Sequence, residues 1–205
     1  RQTYADALNA DPEEIFFTRN ATESLNHIAH GLKHRLDENS EILTTVLEHH
    51  SNLLPWQAVA EATGASLTIL PRGQAHNIAE HVTDNTEIVT VTHMSNVTGE
   101  QFDIQSISQF VKQQTDAAVI ADGCQAYPHQ QVNVNNLGVD AYTFSAHKHY
   151  GPNGVGITYL DAAPPDKFTP PIRGGGMVNS VFQTSYEQST PPHGFEAGTL
   201  NAAGI

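Results

Sequence analysis

The apolar positions of this chain switch between short continuous runs and helical spacings, and the switching predicts most of its elements. Runs rich in Ile, Val, Leu and Thr recur at Ile15–Thr18 (IFFT), 41–47 (EILTTVL), Ser66–Leu70 (SLTIL), 87–92 (EIVTVT), 117–121 (AAVIA), Ala141–Ser145 (AYTFS) and 155–159 (VGITY). Each is short, rich in β-formers and reads as a strand. Residues 1–10 read as a helix. Thr22 is the predicted N-cap of a helix running to about Lys33, with Leu25, Ile28, Ala29 and Leu32 on one face. Pro55 marks the first turn of a helix carrying Trp56, Val59 and Ala60, and residues 104–111 place Ile104, Ile107 and Val111 in phase. Alternating β and α segments with apolar strands predict an α/β fold: a mostly parallel sheet with helices on both faces. After Asp161 the pattern loosens. Pro164-Pro165, Pro170-Pro171 and Pro191-Pro192 flank the glycines at 174–176, so an irregular surface loop or subunit contact is expected there, with a helix due to start near Ile205.

Composition narrows the class. The chain has 205 residues, enough for a single large domain with a sizeable core, and 39% hydrophobic with 15% charged residues suits a globular protein rather than a disordered one. Nine Lys and Arg against 22 Asp and Glu give a net charge of -13, which repels nucleic acid and anionic membranes, so neither is expected as a partner. No apolar run approaches the ~20 residues of a membrane-spanning helix. Cys124 is the single cysteine, so no internal disulfide can form, and the reducing cytoplasm is the expected compartment.

In a parallel α/β sheet, ligands bind beyond the carboxyl ends of the strands. That rule selects 20–22, His49, Asn96, 122–125 and 145–148. Of the lysines Lys33, Lys112, Lys148 and Lys167, only Lys148 follows an apolar strand and adjoins glycines, and a partly desolvated amine there would be a usable nucleophile. Lys167 lies in the Pro-rich stretch. Asp122 ends a buried run, where a carboxylate is costly without a partner; a turn-capping role before Gly123 is the simpler alternative. Gln125 stands three residues on. Thr22, at a strand–turn–helix junction, can bind an anion or merely cap the helix, and Ser145 and His147 lie near Lys148. His49 offers a flat ring. An amine, an acid, an anion cradle and a flat supporting group are what pyridoxal 5'-phosphate (PLP) chemistry requires of a protein. Zinc is disfavoured: His49 and His50 are neighbours on extended chain and point to opposite sides, and no HExxH or Cys-rich spacing occurs. A dinucleotide site is disfavoured by the lack of GxGxxG.

As an ordered set, FTRNATESLNHIA (17–29), EHHSNLLPWQ (48–57), THMSNVTGE (92–100), ADGCQAYPH (121–129), DAYTFSAHKHYGPNGVGITYL (140–160), RGGGM (173–177) and FEAGTLN (195–201) resemble the class V aminotransferase family, in its cysteine desulfurase and selenocysteine lyase branch. The resemblance implies the large domain of fold type I. It makes Lys148 the Schiff-base lysine, Asp122 the partner of the pyridine nitrogen and Gln125 the contact to the ring oxygen. His49 would stack on the ring and serve in proton transfer, Asn96 would lie near the ring oxygen and substrate carboxylate, and Thr22, Ser145 and His147 would bind phosphate. Thr199 would reach the phosphate of the other protomer in a homodimer. Ala21 and Ala146 stand where relatives carry a hydroxyl residue and glycine.

By this resemblance residues 1–205 are a PLP-binding large domain without the N-terminal segment and C-terminal small domain of the family. That small domain would bring the nucleophilic cysteine and the arginine for the substrate carboxylate; Cys124 reads as a small buried residue instead. The expected activity is L-cysteine desulfuration, with sulfur passed as persulfide to an acceptor protein or iron–sulfur assembly system. The alternatives are a selenocysteine or cysteine-sulfinate lyase, a class V aminotransferase, or a PLP-binding, dimerising module with no activity by itself.

Overall fold

The computed structural model describes residues 1–161 and 168–205, so Pro164-Pro165 and Lys167 lie outside the described residues. The elements run α1 (Gln2–Leu8), β1 (Ile15–Thr18), α2 (Ala21–Gly31), β2 (Glu41–Thr45), α3 (His50–Thr63), β3 (Ser66–Leu70), α4 (Arg72–Ala75), β4 (Thr86–Thr92), α5 (Ile104–Gln114), β5 (Ala118–Asp122), α6 (Val134–Leu137), β6 (Ala141–Ser145), β7 (Gly156–Leu160), β8 (Val178–Val181) and β9 (Tyr186–Gln188). Seven strands form one sheet in the order β1-β7-β6-β5-β4-β2-β3, and β8 and β9 form a separate hairpin. Only β7 opposes the rest: it is antiparallel to both β1 and β6, while the other pairs are parallel. The α/β expectation therefore holds, and the parallel strands all end at one edge.

In the main sheet, all strands but the largely exposed edge strand β3 are buried on both faces, because they carry apolar residues of both parities. On one face α1 and α5 cover Phe17, Leu43, Val89, Val91, Val119, Ala121, Tyr142, Phe144 and Ile157. On the other, α2 and α3 bring Leu25, Ile28, Trp56 and Val59 against Phe16, Ile42, Ile88, Ala118, Ile120, Ala141 and Leu160. Alternate residues of a strand point to opposite faces, so this parity fixes where the polar strand ends point.

Two helix starts differ from the sequence reading. Asn20, not Thr22, caps α2: its side-chain oxygen accepts from the Glu23 N–H, which moves Thr22 into the first turn. Pro55 lies inside α3 rather than in its first turn, because the helix already begins at His50 with His49 as its cap. Pro cannot donate the helical N–H at that position, yet fully buried Trp56 and Val59 anchor the surrounding turns to the sheet. The β8–β9 hairpin replaces part of the expected irregular loop, and residues near the C-terminus form a turn rather than a helix start.

Candidate functional site

The C-terminal ends of β1, β2, β4, β5 and β6 open on one edge of the sheet. Every predicted site residue except Thr199 lies on or just after one of them. Along β5, Val119 and Ala121 pack toward α1 and α5 while Ala118 and Ile120 pack toward α2 and α3, so Asp122 falls on the α2–α3 side. In β6, Tyr142 and Phe144 point one way and Ala141 the other, so Ser145 shares the side of Asp122. A contact agrees with that parity: the Ala21 N–H at the start of α2 donates to Ser145 Oγ at 2.8 Å.

Asp122 is 3% exposed, and its Oδ1 accepts from the Cys124 N–H at 2.9 Å. The turn after it presses on β6 through Gly123 N–H to Thr143 O, 2.8 Å; a Cβ at Gly123 would overlap the Tyr142 ring, so glycine is what lets this turn close. Lys148 ends the 3-10 turn Ala146–Lys148 and is half-buried. Among the described residues no hydrogen bond or ion pair engages its amine. Burial pushes the Cys124 thiol well up from its ordinary value; the Asp122 charge adds to that and the Lys148 charge opposes it, so both ionic groups lie within electrostatic reach of one thiol. They are thus gathered at the same edge.

At the start of α2 the Ala21 N–H donates to Ser145 Oγ and the Glu23 N–H to Asn20 Oδ1. Beside them Thr22 Oγ1 and Ser51 Oγ share a hydrogen bond of 2.7 Å, so three hydroxyls gather at this helix start. Gly156 allows the approach: a Cβ there would come within 2.6 Å of the Asn20 carbonyl carbon. His147 is exposed in the turn before Lys148. His49 is exposed, and its Nδ1 accepts from the Ser51 N–H at 3.1 Å, which leaves Nε2 to carry the proton of the neutral ring. Asn96 is exposed in the turn after β4, and Gln125 is half-buried after β5. Thr199 stands apart: it borders a cavity of about 200 Å³ with Thr18, Arg19 and Gly154, and no hydrogen bond among the described residues joins it to Thr22, Ser145 or His147. A cavity of about 620 Å³ lies at the opposite edge of the sheet, against Ala118, Ala141 and Leu160. Among the described residues no three His, Cys, Asp or Glu side chains are grouped to hold a metal ion.

Two buried polar networks beneath this edge were not visible in the sequence. Glu48, 8% exposed, accepts from Thr45 Oγ1 at 2.7 Å and from Asn52 Nδ2 at 2.6 Å. Burial raises its pKa to about 8, with the nearby Asp122 charge adding to the shift against hydrogen bonds from Thr45, Asn52 and the Thr92 backbone. His93, 7% exposed, meets Tyr142 Oη at 3.0 Å through Nδ1 and Gln130 Nε2 at 2.9 Å through Nε2. The amide can only donate to Nε2, so the neutral ring donates from Nδ1 to the tyrosine. Burial lowers the His93 pKa to about 4. The only local signals were a Glu just past a strand end with Asn one helical turn on, and a His in the same place after β4.

These groups predict opposite pH limbs in stability. The folded state holds the Glu48 proton more tightly than the unfolded chain does, so its contribution is lost as pH rises from about 4.5 and levels off above about 8. The folded state resists protonating His93, so that contribution is lost as pH falls from about 6.5 through about 4. Denaturant unfolding across pH should show Glu48→Gln flattening the first limb and His93→Gln the second, each by more than about 1 kcal/mol. Curves parallel to the wild type would contradict the assignment.

Comparison with known proteins places this geometry among relatives. The model of the family described as "Aminotransferase class-V" matches residues 1–205. A probable cysteine desulfurase of Pyrococcus abyssi is 38% identical over 209 residues, covering 100% of this chain and 52% of the relative. The apo structure of a cysteine desulfurase from Thermococcus onnurineus superposes with a TM-score of 0.93 at 38% identity, covering 99% of this chain and 52% of that one. A C-DES mutant carrying glycine covalently linked to its PLP cofactor superposes at 0.87 with 25% identity, over 97% of this chain and 54% of that one. The chain spans about half the length of the curated relatives it matches.

Proposed function

This chain belongs to the class-V aminotransferase family, in its cysteine desulfurase branch, and on that premise we propose that it is the PLP-binding half of a cysteine desulfurase acting in the cytoplasm. The observation that carries the reading is the gathering of Lys148, Asp122 and the start of α2 at one sheet edge. The residues fit the cofactor. A buried carboxylate suits a protonated ring nitrogen, the hydroxyls gathered at the start of α2 suit a phosphate, and among the described residues no hydrogen bond or ion pair engages the Lys148 amine.

When bound, PLP supplies an electron sink for negative charge at the substrate α-carbon. Lys148 would hold the cofactor through Nζ and, once displaced by substrate, move the α-proton. Asp122 would keep a proton on the ring nitrogen. Gln125 would orient the ring oxygen, with Asn96 between that oxygen and the substrate carboxylate. His49 would cover the ring face. Thr22, Ser145 and His147 would grip the phosphate, and Thr199 would complete the phosphate site of a second protomer in a homodimer. The net reaction converts L-cysteine to L-alanine while its sulfur passes as persulfide to an acceptor protein. The thiol that receives the sulfur, and the arginine for the substrate carboxylate, are assigned to a C-terminal domain outside these residues.

The reading is tested on the purified 205-residue chain with PLP, L-cysteine and an absorbance and alanine-release assay. A PLP-dependent visible band that L-cysteine perturbs, with no alanine formed, is the expected result. Bound zinc with no visible band would overturn it. Parallel trials with selenocysteine and cysteine sulfinate report which substrate the cofactor half prefers.

A further inference from the structure

Glu48 is a buried residue beneath this edge that the proposed chemistry does not use. It follows β2, immediately precedes His49 and lies four residues before Asn52, one helical turn away. Its two carboxyl oxygens are held from different elements: Thr45 at the end of β2 donates to one and Asn52 of α3 to the other. Asn52 is itself fixed to β4, because Thr90 Oγ1 donates to Asn52 Oδ1 at 2.8 Å, and Thr44 Oγ1 donates to the Thr90 carbonyl at 2.9 Å. The 48–52 turn is thereby tied to two strands at once. That turn carries both the His49 ring, oriented by the Ser51 N–H, and the Ser51 hydroxyl that meets Thr22.

We propose that Glu48 is a positioning residue: its carboxyl, clamped by Thr45 and Asn52, locks the β2–α3 turn so that His49 and Ser51 face the cofactor pocket in one orientation. The proposal rests on the PLP reading for what the pocket holds, but not for the clamp itself. Thr45 Oγ1 and Asn52 Nδ2 both donate to the carboxyl, one to each oxygen. Glutamine keeps an acceptor for Asn52 and turns its amide toward the Thr45 hydroxyl, whose oxygen can accept in turn; alanine removes both arms.

The test has a cofactor-free arm and a cofactor arm. In the cofactor-free chain, amide hydrogen exchange at Ser51 reads the hydrogen bond to His49 Nδ1. Wild type and Glu48→Gln should exchange alike, and Glu48→Ala about tenfold faster. Asn52→Leu, which removes one arm and keeps the volume apolar, should also speed Ser51 exchange and serves if Glu48→Ala does not fold. With PLP, Glu48→Ala should weaken cofactor affinity about tenfold and alter the circular dichroism of the bound ring, while Glu48→Gln stays within about twofold of wild type. Unchanged Ser51 exchange in Glu48→Ala or Asn52→Leu would overturn the clamp. So would a Glu48→Gln variant as impaired as the alanine one. If wild type shows no Lys148-dependent visible band, the PLP reading fails by itself, and the exchange comparison still decides the clamp.

Discussion

Lys148→Ala should leave the chain folded while abolishing its covalent hold on PLP. The side chain is half-buried in the turn after β6 and its amine makes no hydrogen bond or ion pair among the described residues, so truncation breaks no network. The turn is kept by its main chain: the His149 and Gly151 N–H groups both donate to the Ala146 carbonyl, at 3.0 and 2.9 Å. Ala146 itself is buried, which anchors the turn from below. What the substitution removes is the nucleophile. In a complete desulfurase the same change should cost about 10²–10⁴-fold in turnover from lost proton transfer alone. The measurement is a PLP titration followed by visible absorbance, with thermal unfolding of the same sample as the check on folding. A Lys148→Ala protein that keeps the wild-type band would place the imine elsewhere.

Asp122→Asn should weaken PLP binding by about 10–100-fold, the cost of replacing a charge-assisted contact by a neutral one. The asparagine keeps the shape, and its side-chain oxygen can still accept from the Cys124 N–H, so the turn after β5 should survive. It no longer offers a negative charge to a protonated ring nitrogen. Linkage to Lys148 should persist, so this variant should bind weakly but still form the visible band, a pattern distinct from that of Lys148→Ala. The carboxylate is 3% exposed, so solvent screens little of the effect. Equal affinities for wild type and Asp122→Asn would remove Asp122 from the site.

The strands were legible because their apolar content is local. Ile15–Thr18 and Ala141–Ser145 carry their burial in consecutive residues, Ser66–Leu70 is a run of β-formers, and the structure reproduces all three limits. Helix starts were less legible because they depend on side-chain caps. Thr22 and Asn20 are both acceptable cap residues, and only the geometry shows that Asn20 reaches the Glu23 N–H. His49 is an unusual cap, which left Pro55 as the misleading marker for α3. Helices α4 and α6 are four residues each, too short to show a period. The β8–β9 hairpin was hidden by its polar, exposed strands within a Pro- and Gly-rich stretch.

The candidate site divides the same way. Asp122, Ser145 and Lys148 sit at strand ends, where topology alone places ligands, so the sequence could nominate them. The Asn52–Thr90, His93–Tyr142 and His93–Gln130 contacts join residues 37 to 49 positions apart, and no local pattern announces such a pairing. They are legible only once β2, β4 and β6 are assembled into one sheet.

Borohydride reduction of the PLP-treated chain, followed by peptide mapping, tests the central claim most directly, because it asks which amine the cofactor has found. Lys33 and Lys112 are the more exposed of the described lysines, so simple accessibility would favour them. The account predicts a single phosphopyridoxyl group, on the peptide that contains Lys148. Label spread over the exposed lysines, or absent from Lys148, would contradict it.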